Sequence, residues 1–553
     1  MKNSLIVNFF VIILVLLTAC TDSSDSSKNN KVPDNTINEP DEPSKEPVET
    51  VKPNTSYTAS SFTFIVGYAK SISPKEIEDS VDAYFISPDL PGGLSLNTET
   101  GEISGTATKE SAPKDYTVSA SNKNVTIEID IQISVWRTKL LGVDGESTIA
   151  RGVANDKFGN IYVTGYSTGA LNGQTLTGSK DLLLVKYNIV GERQWTRLLG
   201  VAGQRTTAYA VTTDDTGNIF ITGTTYGDLN GQTHSLKSDA ADKEKGDIFV
   251  IKYNANGEKE WTRLMGTTGT QSDAMGVAND CSGDVYVTGY THKASDGSTF
   301  DGQTATGSID LLLMKYNTNG LKQWTRLMGV KNKMTQAQDI ATDCSGNIYI
   351  TGYTNGNLDG ETLTGMRDFF VVKYDSSGDV QWTRLMGEVS SFTNAFGVAA
   401  DSMGNVYVAG NTPGNLGGQT KTGLSDLYVV KYNSSGDIKW TKLMGQTDAY
   451  AETSGIAIDS SNNVYVTGSI DKALDGQEFA GKEDLFAVKY NSEGIKQWTR
   501  LMGVANSETK GWGISAENDN VYIVGTTQGN LDGLTHSSGT ETSDLFLLMY
   551  PQE

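Results

Sequence analysis

The chain has 553 residues, too many for one ordinary domain core, so length alone predicts two or more folded units. Gly is frequent at 60 residues and Pro scarce at 11, which excludes a collagen-like chain, and 37% hydrophobic content argues against general disorder. Lys and Arg number 44 against 66 Asp and Glu, a formal net charge of -22 that disfavours a nucleic-acid partner. Three Cys allow no disulfide framework, and three His (His234, His292, His536) leave little for imidazole metal sites or Ser-His-Asp chemistry.

Lys2 precedes an apolar run from Leu5 to Leu17, broken only by Asn8. Such a run suits the hydrophobic core of a signal peptide and is too short to span a bilayer. It ends Leu17-Thr18-Ala19-Cys20. This resembles the lipobox of bacterial lipoproteins, in which a small residue precedes the Cys that is acylated and becomes the mature N-terminus. The resemblance implies a signal peptide over 1–19, three acyl chains on Cys20, and a stable anchor in the cell envelope, since two or more chains suffice. Thr21 follows the Cys where some lineages use Asp to retain lipoproteins at the inner membrane, so the outer membrane is expected, with exposure at the cell surface. Residues 20–56 continue as a tether. From 21 to 56, acids outnumber bases eight to four and five of the eleven prolines occur, a composition that cannot bury enough apolar surface to offset its ordering entropy.

Residues 57–135 alternate apolar and polar positions between turn signals, as in Phe62-Thr63-Phe64-Ile65-Val66 and Val125-Thr126-Ile127-Glu128-Ile129, which predicts a small β-sandwich. The stretch Pro88-Asp89-Leu90-Pro91-Gly92-Gly93-Leu94, then Thr100-Gly101-Glu102-Ile103-Ser104-Gly105-Thr106 and Tyr116-Thr117-Val118, resembles the Ig-like module of bacterial surface proteins, a cadherin-like sandwich. Related modules often hold calcium between domains. Asp89, Glu99, Glu102 and Asp115 suit that role by composition alone, and solvated turn carboxylates are the better expectation.

Internal repetition sets the remainder, 136–553. A Trp strand, usually W-T-R-L-M-G, recurs at Trp136, Trp195, Trp261, Trp324, Trp382, Trp440 and Trp498. A second signature follows the pattern Ile161-Tyr162-Val163-Thr164-Gly165, and a third opens on Asp181, Asp247, Asp310, Asp368, Asp426, Asp484 and Asp544. A short small-residue strand such as Gly397-Val398-Ala399-Ala400 precedes each second signature, which makes four strands per unit. The first unit opens on a Trp strand and the last ends at Tyr550 without one, so the N-terminal Trp strand is expected to complete the final blade and close a ring. These repeats resemble the SBBP family of seven-bladed β-propellers. The fold expected is therefore all-β: an Ig-like sandwich followed by a seven-bladed propeller of four-stranded blades. The PQQ-like propellers share a Gly-x-x-x-Trp turn, seen in Gly436-Asp437-Ile438-Lys439-Trp440, but their repeats are shorter.

Turns between strands one and two, and between three and four, are tight and fall on one face; the other loops are long, variable and fall on the opposite face. The longest runs from Thr224 to Gly246 and carries Asp239, Asp242, Lys243, Glu244 and Lys245 as binding candidates. Asp359, Asp475 and Asp532 sit in Asp-Gly turns of such loops; calcium ligation is a weaker expectation there than turn formation. The repeated Asp, Lys and Arg, such as Asp368, Lys373 and Arg384, suggest ion pairs and hydrogen bonds within each blade, and the repeated Trp suggests packing between blades. Cys281 and Cys344 occupy equivalent turns of adjacent blades, where a Cα separation beyond the ~7 Å disulfide limit is expected and hence free thiols.

No catalytic motif is present, and the innermost strands offer mostly Gly, Ala, Val and Thr. The expectation is a monomeric envelope lipoprotein without a cofactor, binding a protein or glycan through the variable loop face. Two alternatives stand beside it: a channel enzyme of the lyase, lactonase or glycosidase kind, and an envelope assembly scaffold.

Overall fold

The computed structural model describes residues 52–552 except 77–80, 124, 236–244, 293–298, 518, 538 and 540–541. The signal peptide, Cys20 and most of the tether lie outside the described residues, as do Asp239, Asp242, Lys243 and Glu244.

The Ig-like module packs a four-stranded sheet against a three-stranded one. The first takes Ser61–Phe64, Thr126–Val135, Ser111–Ser121 and Ala83–Ser87 in that order, with its first pair parallel. The second takes Ala69–Ile72, Ile103–Thr106 and Leu94–Leu96. Period-two alternation sends Phe64, Ile103, Val118 and Ile133 into a core where none is exposed. The last Ig strand runs through buried Trp136 directly into a propeller strand, Thr138–Leu141. No spacer separates the two parts, and Tyr68 of the module meets Tyr550 of the last blade edge to face at 6.2 Å.

Seven four-stranded antiparallel sheets follow. In blade one the strands are Thr148–Asn155, Ile161–Ser167, Asp181–Tyr187 and Arg193–Leu199, from innermost to outermost. Innermost strands of the next six blades are Thr206–Thr213, Ser272–Asn279, Thr335–Thr342, Asn394–Ala400, Ala451–Ile458 and Thr509–Glu517. In blade seven the outermost strand is Thr138–Leu141, paired with Asp544–Pro551 in the register Thr138↔Leu548 to Leu141↔Leu545. Chain ends thus share one sheet, as the sequence predicts. Gly513 of blade seven abuts Arg151 and Gly152 of blade one, and Gly152 abuts Ala210 of blade two, so the ring also closes at its inner edge.

The core lies between blades. On the third strand of blade one, Leu182 and Leu184 join the seam with blade two, while Leu183 and Val185 join the seam with blade seven. This is why third strands read as unbroken apolar runs. Outermost strands add a polar staple. Arg197 Nε donates to Gly257 O at 2.8 Å, Arg326 Nε to Gly378 O at 3.0 Å and Arg384 Nε to Gly436 O at 2.9 Å, each in the next blade. Beside the staple, Gly257 (φ 72°) lies under the indole of Trp195; a Cβ there would strike the ring. The Trp is inter-blade packing, as expected.

One expectation is refined and another corrected. Asp368, Lys373 and Arg384 do not pair with one another: Asp368 accepts the backbone N–H of Thr364 and Gly365 at 2.7 and 2.8 Å, and both cations reach carbonyls of blade five. The carboxylate ties its own loop, and the cations tie the neighbour while ion pairs form within blades, as in Arg384–Glu361 at 3.7 Å, Lys252–Glu260 at 2.9 Å and Lys315–Asp284 at 2.8 Å. Cys281 and Cys344 are disulfide-bonded, with Cα atoms 5.1 Å apart. Their turns sit where innermost strands converge on the axis, and there equivalent turns touch: Gly404 lies 3.7 Å from Asp343 Oδ2 of the preceding blade, measured to an added Cβ. Cys281→Ser is expected to cost about 2–4 kcal/mol. Melting the wild type with and without reductant checks this; equal midpoints would show that the bond carries no stability.

Candidate binding site at the channel mouth

Every innermost strand carries a β-bulge at the same register. In blade one, Ala150 faces Gly165 and Gly152 faces Thr164, leaving Arg151 as the extra residue. The bulge presses the innermost backbone onto Gly165, where a Cβ would collide with the Ile149 carbonyl; this explains the glycine ending the second signature. The extra residues are Arg151, Tyr209, Met275, Gln338, Phe396, Ser454 and Trp512. Seven equivalent positions hold seven different residue types, each half-buried. All but Met275 and Ser454 are large aromatic, amide or cationic side chains, and all seven line one cavity of about 650 Å³.

The cavity lies toward the start of the innermost strands, hence on the variable-loop side of the channel. Below it, Val153, Val211, Val277, Ile340, Val398, Ile456 and Ile514, one per blade, form an apolar floor. Polar groups collect above that floor. The Arg151 guanidinium stacks on Trp512 at 4.1 Å, and its Nε is buried without a hydrogen-bond partner among the described residues. Trp512 Nε1 donates to Thr526 Oγ1 at 3.2 Å, which fixes the indole. Asn394, Asn411 and Glu452 complete the wall.

Asp339 breaks the pattern. Its counterparts are Gly152, Ala210, Gly276, Gly397, Gly455 and Gly513. Its Oδ2 accepts the backbone N–H of Val398 at 2.9 Å. Burial pushes its carboxyl up to about 7, although the N–H groups of Val398 and Ile340 favour the charged form. The innermost strands are mostly Gly, Ala, Val and Thr, as expected, but the bulge brings one extra residue per blade to the cavity, and in five of the seven blades that residue is large. The signal in the sequence was variability at a fixed place, two residues ahead of the Val or Ile in otherwise similar strands.

Residues singled out from the sequence fall elsewhere. Lys245 Nζ donates to Gly269 O at 2.6 Å, tying the blade-two loop to the following one. Asp359 accepts from Thr383 Oγ1 and Asp475 from Thr499 Oγ1, both at 2.7 Å; Asp532 accepts from Thr138 Oγ1 at 2.7 Å and pairs with Arg137. Burial works against ionising Asp475, but hydrogen bonds from Lys496 and Thr499 outweigh it and hold the carboxyl below its usual range. These three belong to blades four, six and seven, at φ of 50°, 52° and 54°, so each is a turn residue latching its loop to an outermost strand. Among the described residues no three His, Cys, Asp or Glu side chains come together as metal ligands. In the Ig-like module Asp115 accepts from Gln132 Nε2 at 3.0 Å.

Comparison with known proteins follows this division. The β-propeller repeat family matches residues 136–171, 194–230, 323–359, 381–417 and 439–473, and the "Putative Ig domain" family matches 43–135. An uncharacterized WD repeat-containing protein of Acanthamoeba polyphaga mimivirus is 24% identical over 432 residues, covering 61% of this chain and 30% of its own. Regulatory protein FlaEY of Caulobacter vibrioides is 26% identical over 401 residues, covering 66% of this chain and 40% of its own. The chain thus spans well under half the length of either relative. A quinonprotein alcohol dehydrogenase-like protein from Bacteroides thetaiotaomicron is similar at 10% identity and a TM-score of 0.36, over 80% of this chain and 94% of that one. Five matched β-propeller repeats thus lie within the ring of seven blades, behind a region that matches the Ig-domain family.

Proposed function

We propose that this protein is a monomeric, lipid-anchored protein of the bacterial cell envelope that binds a ligand in the channel mouth on the variable-loop face of its propeller. One observation carries the reading: seven repeats that agree at structural positions differ completely at the one position the bulges turn into the cavity. Packing asks for the same residue seven times, whereas an asymmetric ligand asks for seven different ones. The envelope location draws on the Leu17-Thr18-Ala19-Cys20 sequence, and the Cys281–Cys344 bond suits an oxidising compartment outside the cytoplasm.

A test combines both parts. Wild-type chain is expected in the membrane fraction and labelled by radioactive palmitate, and Cys20→Ser in the soluble fraction without label. The soluble Cys20→Ser chain is then screened on glycan and peptide arrays beside the same chain carrying Ser454→Trp, which fills the mouth. Binding abolished by Ser454→Trp supports the site; binding untouched by it moves the site to the outer loops or the Ig-like module.

Asp339 favours a second reading, catalysis in the channel, because a single acid near neutrality is what a general acid requires. Turnover of a bound ligand, lost in Asp339→Asn while binding persists, would select it.

A further inference from the structure

We infer that the ligand of the channel mouth is a saccharide bearing a carboxylate, with that carboxylate received by Arg151; this rests on the channel-mouth reading above. Four arginines of the outermost strands are fully engaged, and Arg367, whose Nε is buried without a hydrogen-bond partner among the described residues, donates through Nη1 to Asn394 Oδ1 at 3.2 Å. Arg197, Arg263, Arg326 and Arg384 each place Nε and both terminal nitrogens on carbonyl oxygens. Arg151 departs from this. Among the described residues it is the one cation lining the cavity, its Nε is buried without a hydrogen-bond partner, and no acid forms an ion pair with it. A guanidinium on a cavity wall with an unsatisfied N–H is suited to receive an acceptor from outside. Its stacking on Trp512, itself pinned through Thr526, holds the planar fork in place before any ligand arrives. A planar fork held rigidly matches the two oxygens of a carboxylate.

A monoanion fits better than a phosphate ester. Glu452 lines the same cavity and disfavours a second negative charge on the ligand beyond the one Arg151 meets. The rest of the wall suits a polyhydroxylated ring. Tyr209, Phe396 and Trp512 supply ring-sized apolar faces, and Gln338, whose side chain hydrogen-bonds to no other described residue, offers both a donor and acceptors to hydroxyls. A plain aliphatic acid would satisfy Arg151 and leave the amide unmatched. The cavity, about 650 Å³, lies within the range of small-molecule sites.

The experiment titrates soluble Cys20→Ser chain by calorimetry, with Trp fluorescence as a second readout. The probes are galacturonate and glucuronate disaccharides, their methyl esters, and a tetrapeptide with a free C-terminal carboxylate. The acids are expected to bind and quench, and the esters to bind roughly 10–100-fold more weakly, the scale of one charge-assisted hydrogen-bonded contact. Arg151→Gln should bring acid and ester to the same weak affinity, with Arg151→Lys between. Equal affinity of wild type for acid and ester overturns the inference without requiring any variant to fold. Preference for the peptide overturns the saccharide assignment. If array ligands sensitive to Ser454→Trp all lack a carboxylate, the channel-mouth reading stands and this inference falls; if no ligand is sensitive to that plug, the reading itself falls.

Discussion

Deleting Trp136–Gly142 is expected to destabilise the propeller by more than about 5 kcal/mol, a loss comparable with the whole stability of an ordinary domain. The segment supplies the outermost strand of blade seven through its pairing with Asp544–Pro551. Trp136 is 1% exposed and packs in one cluster with Leu183 and Val185 of blade one and Leu545, Leu547 and Met549 of blade seven. Losing a buried Trp side chain alone costs about 3–5 kcal/mol. The deletion also removes the Arg137–Asp532 pair and bares the edge of a long apolar strand, which invites pairing with another copy. Calorimetry should show a lower, broader transition, and light scattering should show oligomers. A single transition at the wild-type temperature would mean that the ring does not depend on the strand joining its ends.

The second large effect concerns Asp339. Folding moves its carboxyl from an ordinary 3.8 up to about 7, so the folded protein holds this proton more tightly than the unfolded chain. The contribution is fully present below about pH 4 and is lost as pH rises through about 7. A displacement of that size corresponds to ~4 kcal/mol at most, and less in so far as water in the channel screens the charge. Other acids titrate over the same range in a chain of net charge -22, so the measured quantity is the difference between wild type and Asp339→Asn. Asn keeps an acceptor for the Val398 N–H and has no proton to lose. Denaturation at pH 4, 5.5, 7 and 8 should show the variant gaining on the wild type between 4 and 7 and running parallel above. A constant difference across the series would show that Asp339 titrates as an ordinary surface acid.

The residue-level features were unevenly legible. The seven Trp strands and the tight Gly turns could be placed because each is set by contacts within one blade or with the next. The ring followed from a count, one Trp strand at the start and none after Tyr550. Arg384 was picked out as a recurring cation, yet its partner, the Gly436 carbonyl, belongs to a turn of the following blade. Asp359 and Asp475 were legible as turn formers from their Gly neighbours, whereas their latches to Thr383 and Thr499 arise only once the loop folds back on the outermost strand.

By itself the sequence determined the number of blades, the order of strands, the Ig-like module and the pairing of the chain ends. These rest on period-two burial and turn chemistry, which repeat every unit and survive any error in one copy. Tertiary structure alone decided which side chains line the cavity. A bulge adds one residue to a strand, reverses which side chains face the channel from that point, and shows in no local periodicity. It placed Arg151, Gln338 and Trp512 in one cavity from blades one, four and seven. Convergence of the blades on the axis likewise brought Cys281 within 5.1 Å of Cys344, and left Asp339 among glycines, where burial rather than any neighbour in sequence sets its charge.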